Sequence, residues 1–305
     1  MAEKSVILAT GGYDHSICFW VAPTGHVQRT LEHKESQVNA LEITPDKRLL
    51  AAAGNPHVRL FDCLGSSSQP VTSYSGHTSN VTSLGFQKES KWMYTGSEDG
   101  SIKIWDLRAP GCQRDFRGKS PISGVTLHPN QVDLVSVDED GNLRVWDLKA
   151  TTCGVDIIPD GKIPLRSVTV ATDASVVVAA NNRGGCFVWK FTGSRASELE
   201  LLHKFDAHPT YILKCVLSPD GKTLATTSAD KTISLWNVEK NFELERTLTG
   251  HQAWVWDCAF SADSAYLVSA SSDRTGKLWD LKTGDIIVDY KGHTKALTAI
   301  ALNDS

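Results

Sequence analysis

Along the whole chain, short runs that alternate apolar and polar residues are cut by clusters of turn formers. The stretch Gly250 to Asp280, GHQAWVWDCAFSADSAYLVSASSDRTGKLWD, carries the plan once in full. Two runs, WVWDCAF and YLVSAS, have period two and are separated by the polar turn SADSA. The turn SSDRT then precedes a third run ending in KLWD. Period-two alternation bounded by turn residues predicts antiparallel strands with one face on a core.

The unit recurs. Its closing aromatic falls at Trp20, Phe61, Trp105, Trp146, Trp189, Trp236 and Trp279, with gaps of 41, 44, 41, 43, 47 and 43 residues. A Gly-His opening and a Trp-Asp closing at this spacing resemble one four-stranded blade of a WD-repeat propeller. Seven closing positions predict an all-β, seven-bladed propeller that uses residues 1–305 as a single domain. Length alone suggests about two domains, but one blade cannot bury its own face and must stack on neighbours.

The two chain ends complete each other. Residues 6 to 31 supply three strands, SVILATGG, SICFW and HVQRTL, where a blade needs four. After Trp279 come IIVDY, the pair Gly292-His293 and ALTAIAL, whose last run matches the strand that opens every other repeat. The strand Ala296 to Leu302 is therefore expected beside Val6 to Thr10, closing the ring and removing two open edges. The longest insertion, Thr192 to Glu200, reads as a surface loop between two outer strands.

Polar residues recur at fixed offsets. Asp14, Asp99, Asp140, Asp230 and Asp273 stand six residues before a closing aromatic, and Ser97, Ser228 and Ser271 stand eight before. His77, His208 and His251 each lie 22 residues before their Asp. Buried Trp and His rings need hydrogen-bond partners. By resemblance to WD repeats, Trp105, Trp236 and Trp279 are expected to join these Ser, His and Asp residues in structural hydrogen-bond chains. His293 is expected to serve Asp14 and Trp20 across the chain ends. The second repeat has Asn55 and Phe61 in place of Asp and Trp, the fourth lacks the His, and the fifth carries Arg183 at the Asp position.

Net charge is −4 with both signs interspersed, which argues against a nucleic-acid footprint or a polybasic membrane surface. No apolar run is long enough to span a bilayer, and MAEKSVILAT lacks the plan of a signal peptide. The seven cysteines, Cys18, Cys63, Cys112, Cys153, Cys186, Cys215 and Cys258, are spread out with no CxxC pair. They read as small buried reduced thiols of a cytoplasmic protein, with no disulfide, metal or cofactor site. No phosphate-binding loop, nucleophile elbow, HExxH or kinase catalytic loop occurs. His and Asp in several repeat-spaced copies suit structure better than one active site, so no enzyme is expected.

Surface recognition remains. The residues flanking the first core aliphatic of each opening strand should converge on one rim of the central channel. They are Gln37 and Asn39, Asn80 and Thr82, Pro121 and Ser123, Pro164 and Arg166, Tyr211 and Leu213, Trp254 and Trp256, Ala296 and Thr298. The ring is poor in charge and holds two Trp and a Tyr, the composition of a protein-binding hot spot. The expected partner-binding residues are Gln37, Asn39, Asn80, Arg166, Tyr211, Leu213, Trp254 and Trp256. The competing reading packs Trp254 and Trp256 between blades.

Beyond the repeat, VILATGGYDHSICFW, SQVNALEITPDKRLLAAAGNPHVRLFD, KWMYTGSEDGSIKIWDLRAPGCQ, LHPNQVDLVSVDEDGNLRVWDL, NNRGGCFVW and HQAWVWDCAFSADSAYLVSASSD resemble the small all-propeller subunit family of the target-of-rapamycin (TOR) kinase complexes. Every blade contributes. The resemblance implies a non-catalytic scaffold subunit, monomeric within a larger complex, that binds an insertion in the C-lobe of the TOR kinase, meets other TOR complex subunits and stabilises the active kinase. Ala253 departs from the family's HQRWVWDC pattern, where Arg precedes the WVW. The alternative is a substrate receptor docking on a cullin-RING ubiquitin ligase adaptor through Trp105, Asp106 and Arg108, which spell a WDxR box.

Overall fold

The computed structural model describes residues 6–192 and 198–305, and within them every regular element is a strand. The strands form seven antiparallel sheets of four. In the first blade the C-terminal strand Leu297–Asn303 is innermost, followed outward by Ile7–Gly12, Ser16–Val21 and His26–Glu32. Leu8 opposes Leu302 and Thr10 opposes Ile300, so the closure expected from the chain ends forms, displaced by one residue. Blade two is Ala40–Ile43, Leu49–Ala53, Val58–Asp62 and the short Thr72–Tyr74; blade seven is Val255–Phe260, Tyr266–Ser271, Thr275–Asp280 and Ile286–Lys291. Each innermost strand contacts those of the two neighbouring blades, which makes the ring.

Burial follows radius. Second strands lie between two neighbouring blades and are buried on both faces, as in Asp133–Asp138 and Ile7–Gly12. Outermost strands keep one inward residue, such as Phe116 in Cys112–Arg117. The apolar residues form seven separate clusters, one per junction between blades. Ile17 and Phe19 of blade one meet Leu50 and Phe61 of blade two, and Val268 and Tyr290 of blade seven meet Trp20 and Ile300 of blade one. No blade holds a core of its own, which is the physical reason the repeats need each other.

Two β-bulges recur. One falls at the closing Trp in six blades, as between Leu278 and Trp279, against the outermost strand. The other falls near the start of the innermost strand, at Val81/Ser83, Ile122/Gly124, Leu165/Ser167, Ile212/Lys214 and Val255/Asp257. The unpaired residues of the second set are Thr82, Ser123, Arg166, Leu213 and Trp256. A bulge re-aims a side chain and ends regular pairing, and in these five blades the bulged residue lines the channel.

The cysteines are all free, but three are not buried. Cys112 and Cys153 are exposed because they stand on outermost strands, opposite Trp105 and Trp146; Cys63 is half-buried. The middle of the insertion expected as a surface loop, 193–197, lies outside the described residues; the strands Gly185–Phe191 and Leu199–Asp206 flank it.

Candidate functional site

Two sets of polar residues compete for a functional reading. The first is the repeated hydrogen-bond chain. In blade seven Trp279 Nε1–H donates to Ser269 Oγ (2.8 Å), which reaches His251 Nε2 (2.7 Å), whose Nδ1 meets Asp273 (2.7 Å). Blade three repeats it through Trp105, Thr95, His77 and Asp99, and blade six through Trp236, Thr226, His208 and Asp230. Blade one builds it from both chain ends, through Trp20, Thr10, His293 and Asp14, so His293 meets Asp14 directly and Trp20 only through Thr10. A hydroxyl that accepts from the indole and donates to Nε2 leaves a neutral imidazole with its proton on Nδ1 for the Asp.

The hydroxyl in this chain stands ten residues before the Trp, not eight. Ser97, Ser228 and Ser271 are therefore not its members. Trp105 pairs in register with Met93, so its indole reaches Thr95, while Ser97 lies a further two residues on, at the turn. There Ser97 Oγ accepts from Asp99 N (3.2 Å) and donates to Asn80 O (2.8 Å); Ser228 and Ser271 take Asp230 N and Asp273 N in the same way. Burial opposes ionisation of Asp99, but bonds from Ser101, Thr78 and His77 outweigh it and hold the carboxyl at about 2. Asp14 is also held at about 2, where bonds from Ser16 and His293 outweigh burial.

The degenerate blades show what each member is for. Blade two does carry a buried histidine, His33, which stands 22 residues before Asn55, the residue that replaces the Asp in this repeat. Phe61 has no N–H, Ala51 stands at the hydroxyl position, and His33 Nε2 is left unpartnered. Burial, with no acid in reach, drops His33 to about 4. Blade four keeps Trp146 on Ser136 Oγ (2.8 Å) but ties Asn142 and Arg144 to Asp138 rather than using Asp140. Chains of this kind, buried and repeated, satisfy the polar groups of the Trp, His and Asp side chains within a blade. Among the described residues no group of three metal-ligating side chains occurs.

The second set is the rim. All eight residues expected there line one channel of about 800 Å³ along the propeller axis. Its mouth has two faces. On blades two and three, Gln37 Nε2 and Asn39 Nδ2 point at Asn80 Oδ1 (3.3 and 3.4 Å), and Asn80 Nδ2 donates to Glu98 (2.8 Å). On blades six and seven, Tyr211 lies edge-on to Trp254 (6.2 Å between rings), and Trp254 tilts against Trp256 (5.7 Å). Trp254 is 41% exposed and Tyr211 46%, so Trp254 is not packed between blades. Trp256 is half-buried and its Nε1–H donates to Ser272 Oγ (2.6 Å). Arg166, on blade five, is held by Asn182 (2.9 Å) and by Glu139 of blade four (3.6 Å).

Tyr13, Glu98, Glu139 and Asn182 also line the mouth and were missed. Each stands seven residues before a closing aromatic, and its backbone N–H binds the carbonyl of a rim residue: Glu98 to Asn80, Glu139 to Pro121, Asn182 to Pro164, Tyr13 to Ala296. That offset was available in the repeat. The mouth is accordingly more acidic than the first ring of residues suggests. The WDxR box is differently disposed. Trp105 is fully buried, and Arg108 doubles back on Asp106 through two bonds of 3.0 and 2.9 Å.

The fold is a closed WD-repeat propeller whose channel mouth carries exposed aromatic and amide side chains. The sequence agrees: a family model described as "WD domain, G-beta repeat" matches residues 25–62, 68–106, 110–147, 199–237 and 242–280. The chain is 52% identical over 304 residues to "Target of rapamycin complex subunit wat1" of Schizosaccharomyces pombe, covering 99% of this chain and 97% of that protein. It is 52% identical over 301 residues to "Target of rapamycin complex subunit LST8" of Saccharomyces cerevisiae (98% and 99%), and 45% identical over 318 to the Bos taurus protein of the same name (100% and 97%). The chain belongs to the LST8 family of WD-repeat proteins.

Proposed function

We propose that the chain is a non-catalytic subunit of a TOR complex in the cytoplasm, and that its channel rim binds the C-lobe insertion of the TOR kinase and stabilises the kinase. The relatives above are named as TOR complex subunits and align with it end to end. The observation that carries the docking surface is the exposed Trp254 and Tyr211 pair, which faces the amides Gln37, Asn39 and Asn80 across the mouth. Neutral aromatic and amide groups desolvate cheaply, and Trp and Tyr are the residues that anchor interfaces. The test is retention of the kinase by Trp254→Ala and Gln37→Glu variants whose melting matches the parent. Loss of kinase by both supports the rim; full retention by both rejects it.

A further inference from the structure

Two of the rim amides have their direction decided by a third. Asn80 is clamped at the mouth of blade three. Its carbonyl accepts from Glu98 N (2.9 Å) and from Ser97 Oγ (2.8 Å), and its side-chain Nδ2 donates to a Glu98 carboxylate oxygen (2.8 Å). Ser79 Oγ donates to the same oxygen (3.3 Å). A carboxylate only accepts, so Asn80 must turn its NH2 to Glu98 and its Oδ1 the other way, toward blade two. There Oδ1 meets the side-chain nitrogens of Gln37 and Asn39 (3.3 and 3.4 Å). A carbonyl oxygen cannot donate, so both of these amides must point an N–H at it.

The consequence lies at the two amide oxygens. With their nitrogens turned to Asn80, Gln37 Oε1 and Asn39 Oδ1 point away from it, and neither accepts a hydrogen bond among the described residues. The rim on blades two and three therefore offers acceptors. The opposite side of the mouth differs in kind. The Trp254 indole N–H can only donate, and it bonds nothing among the described residues, while Trp256 has already given its N–H to Ser272 Oγ (2.6 Å). Gln37, Asn39 and Asn80 are half-buried before any partner arrives. A docked segment dries them further, and a buried acceptor left without a donor is costly.

We propose that Glu98, acting through Asn80, sets the hydrogen-bond polarity of the rim on blades two and three, and that the docked kinase segment answers it with N–H donors at Gln37 and Asn39. This rests on the rim being the kinase-binding surface. It adds a chemical requirement on the partner: N–H groups toward blades two and three, and an acceptor oxygen near Trp254. Glu98 is a positioning residue, exposed on its turn, and acts without touching the partner. A segment that turns carbonyl oxygens or carboxylates toward Gln37 and Asn39 sets acceptor against acceptor and is rejected. The network thus selects among segments of similar shape. It also gives Gln37→Glu a second penalty, since a carboxylate at that position faces Asn80 Oδ1 and loses the bond that aims the side chain.

The test uses the full chain and purified TOR kinase, with affinities and thermal melts for the parent, Glu98→Lys, the double variant Asn80→Asp with Glu98→Lys, and Trp254→Ala. A lysine at position 98 only donates, so Asn80 must turn Oδ1 to it and Nδ2 to blade two. Gln37 and Asn39 then rotate and present N–H groups outward, donor against donor. Glu98→Lys should bind about thirtyfold more weakly, from one unpaired group at each amide, and should melt with the parent. In the double variant an aspartate at position 80 accepts from the lysine and again from Gln37 and Asn39. Their oxygens face outward once more, and affinity should return to within about threefold of the parent. Repeating the measurements at roughly 1 M salt removes simple charge effects, which are screened beyond about 3 Å there; the loss and its rescue should persist. Parent-like affinity of Glu98→Lys, with Trp254→Ala still losing the kinase, overturns the polarity proposal and leaves the rim standing. So does a loss that the double variant fails to recover, or one that vanishes at high salt. Retention of the kinase by Trp254→Ala overturns the rim, and the polarity proposal with it.

Discussion

Ser269 should matter far more to stability than Ser271, two residues away on the same strand. Its hydroxyl is the middle link of the blade-seven chain, taking Trp279 Nε1–H at 2.8 Å and meeting His251 Nε2 at 2.7 Å. Both partners are buried: Trp279 is 1% exposed and His251 5%. Ser269→Ala removes both bonds and strands a donor and an acceptor where no water replaces them. At about 1–3 kcal/mol for each buried group left unpaired, the loss should be about 3–4 kcal/mol. Ser271→Ala removes two longer bonds at a turn, 3.1 and 3.2 Å, and should cost about 1 kcal/mol. Urea denaturation followed by tryptophan fluorescence gives both values, provided the slopes match the parent's. A cycle with Trp279→Phe adds a stricter demand. Phe needs no acceptor, so the double variant should lose less than the two singles summed, by about 1–2 kcal/mol. Equal losses for Ser269→Ala and Ser271→Ala, or strict additivity in the cycle, would refute the assignment of the central hydroxyl.

Blade two offers the converse experiment. Phe61→Trp places a buried N–H opposite Ala51 and should destabilise the ring, while Ala51→Ser in the same chain should restore part of the loss by supplying both the indole and the unpartnered His33 Nε2, read by thermal melts. Deleting residues 294–305 removes the innermost strand of blade one and bares the edge of Ile7–Gly12; soluble yield and melting temperature should both fall, and an unchanged melt would contradict the closure. Acid should unfold the ring between about pH 4 and about pH 2. Asp14 and Asp99 are held at about 2 in the folded chain, below the roughly 3.9 of an unfolded Asp, so the unfolded state takes up protons first and stability drops as pH falls through that window. Asp99→Asn should flatten this dependence by at most about 2 kcal/mol.

The ring was legible because the closing aromatic repeats and because the missing first strand reappears after Gly292-His293. The inner link of the hydrogen-bond chain was not. Positions eight and ten before the Trp lie on the same face of one strand, and both are rich in Ser and Thr. Only the register of Trp105 against Met93 decides between Thr95 and Ser97. His33 was hidden because Asn55, not Asp, stands 22 residues after it. Half the rim, Gln37 through Trp256, followed from the opening strands. The other half, Glu98, Glu139 and Asn182, arrives on the turns between second and third strands and folds back over it. Glu42 reads in sequence as the polar member of an alternating strand, ALEI. That it lines the channel depends on seven innermost strands drawn from the whole chain.

The central claim is that the aromatic and amide rim is the kinase-binding surface. Its most direct measurement is the affinity of purified TOR kinase for the parent chain, Trp254→Ala and Gln37→Glu, with Ile287→Ala on an outermost strand as control. Trp254 truncation removes a central anchor and should weaken binding by about 2 kcal/mol, roughly 30-fold. Gln37→Glu sets an unpaired charge in a drying interface beside Glu98, and should weaken it as well. Both variants should melt with the parent, since neither residue belongs to the interblade clusters, and Ile287→Ala should bind as the parent does. Parent-like affinity in both rim variants would contradict the account.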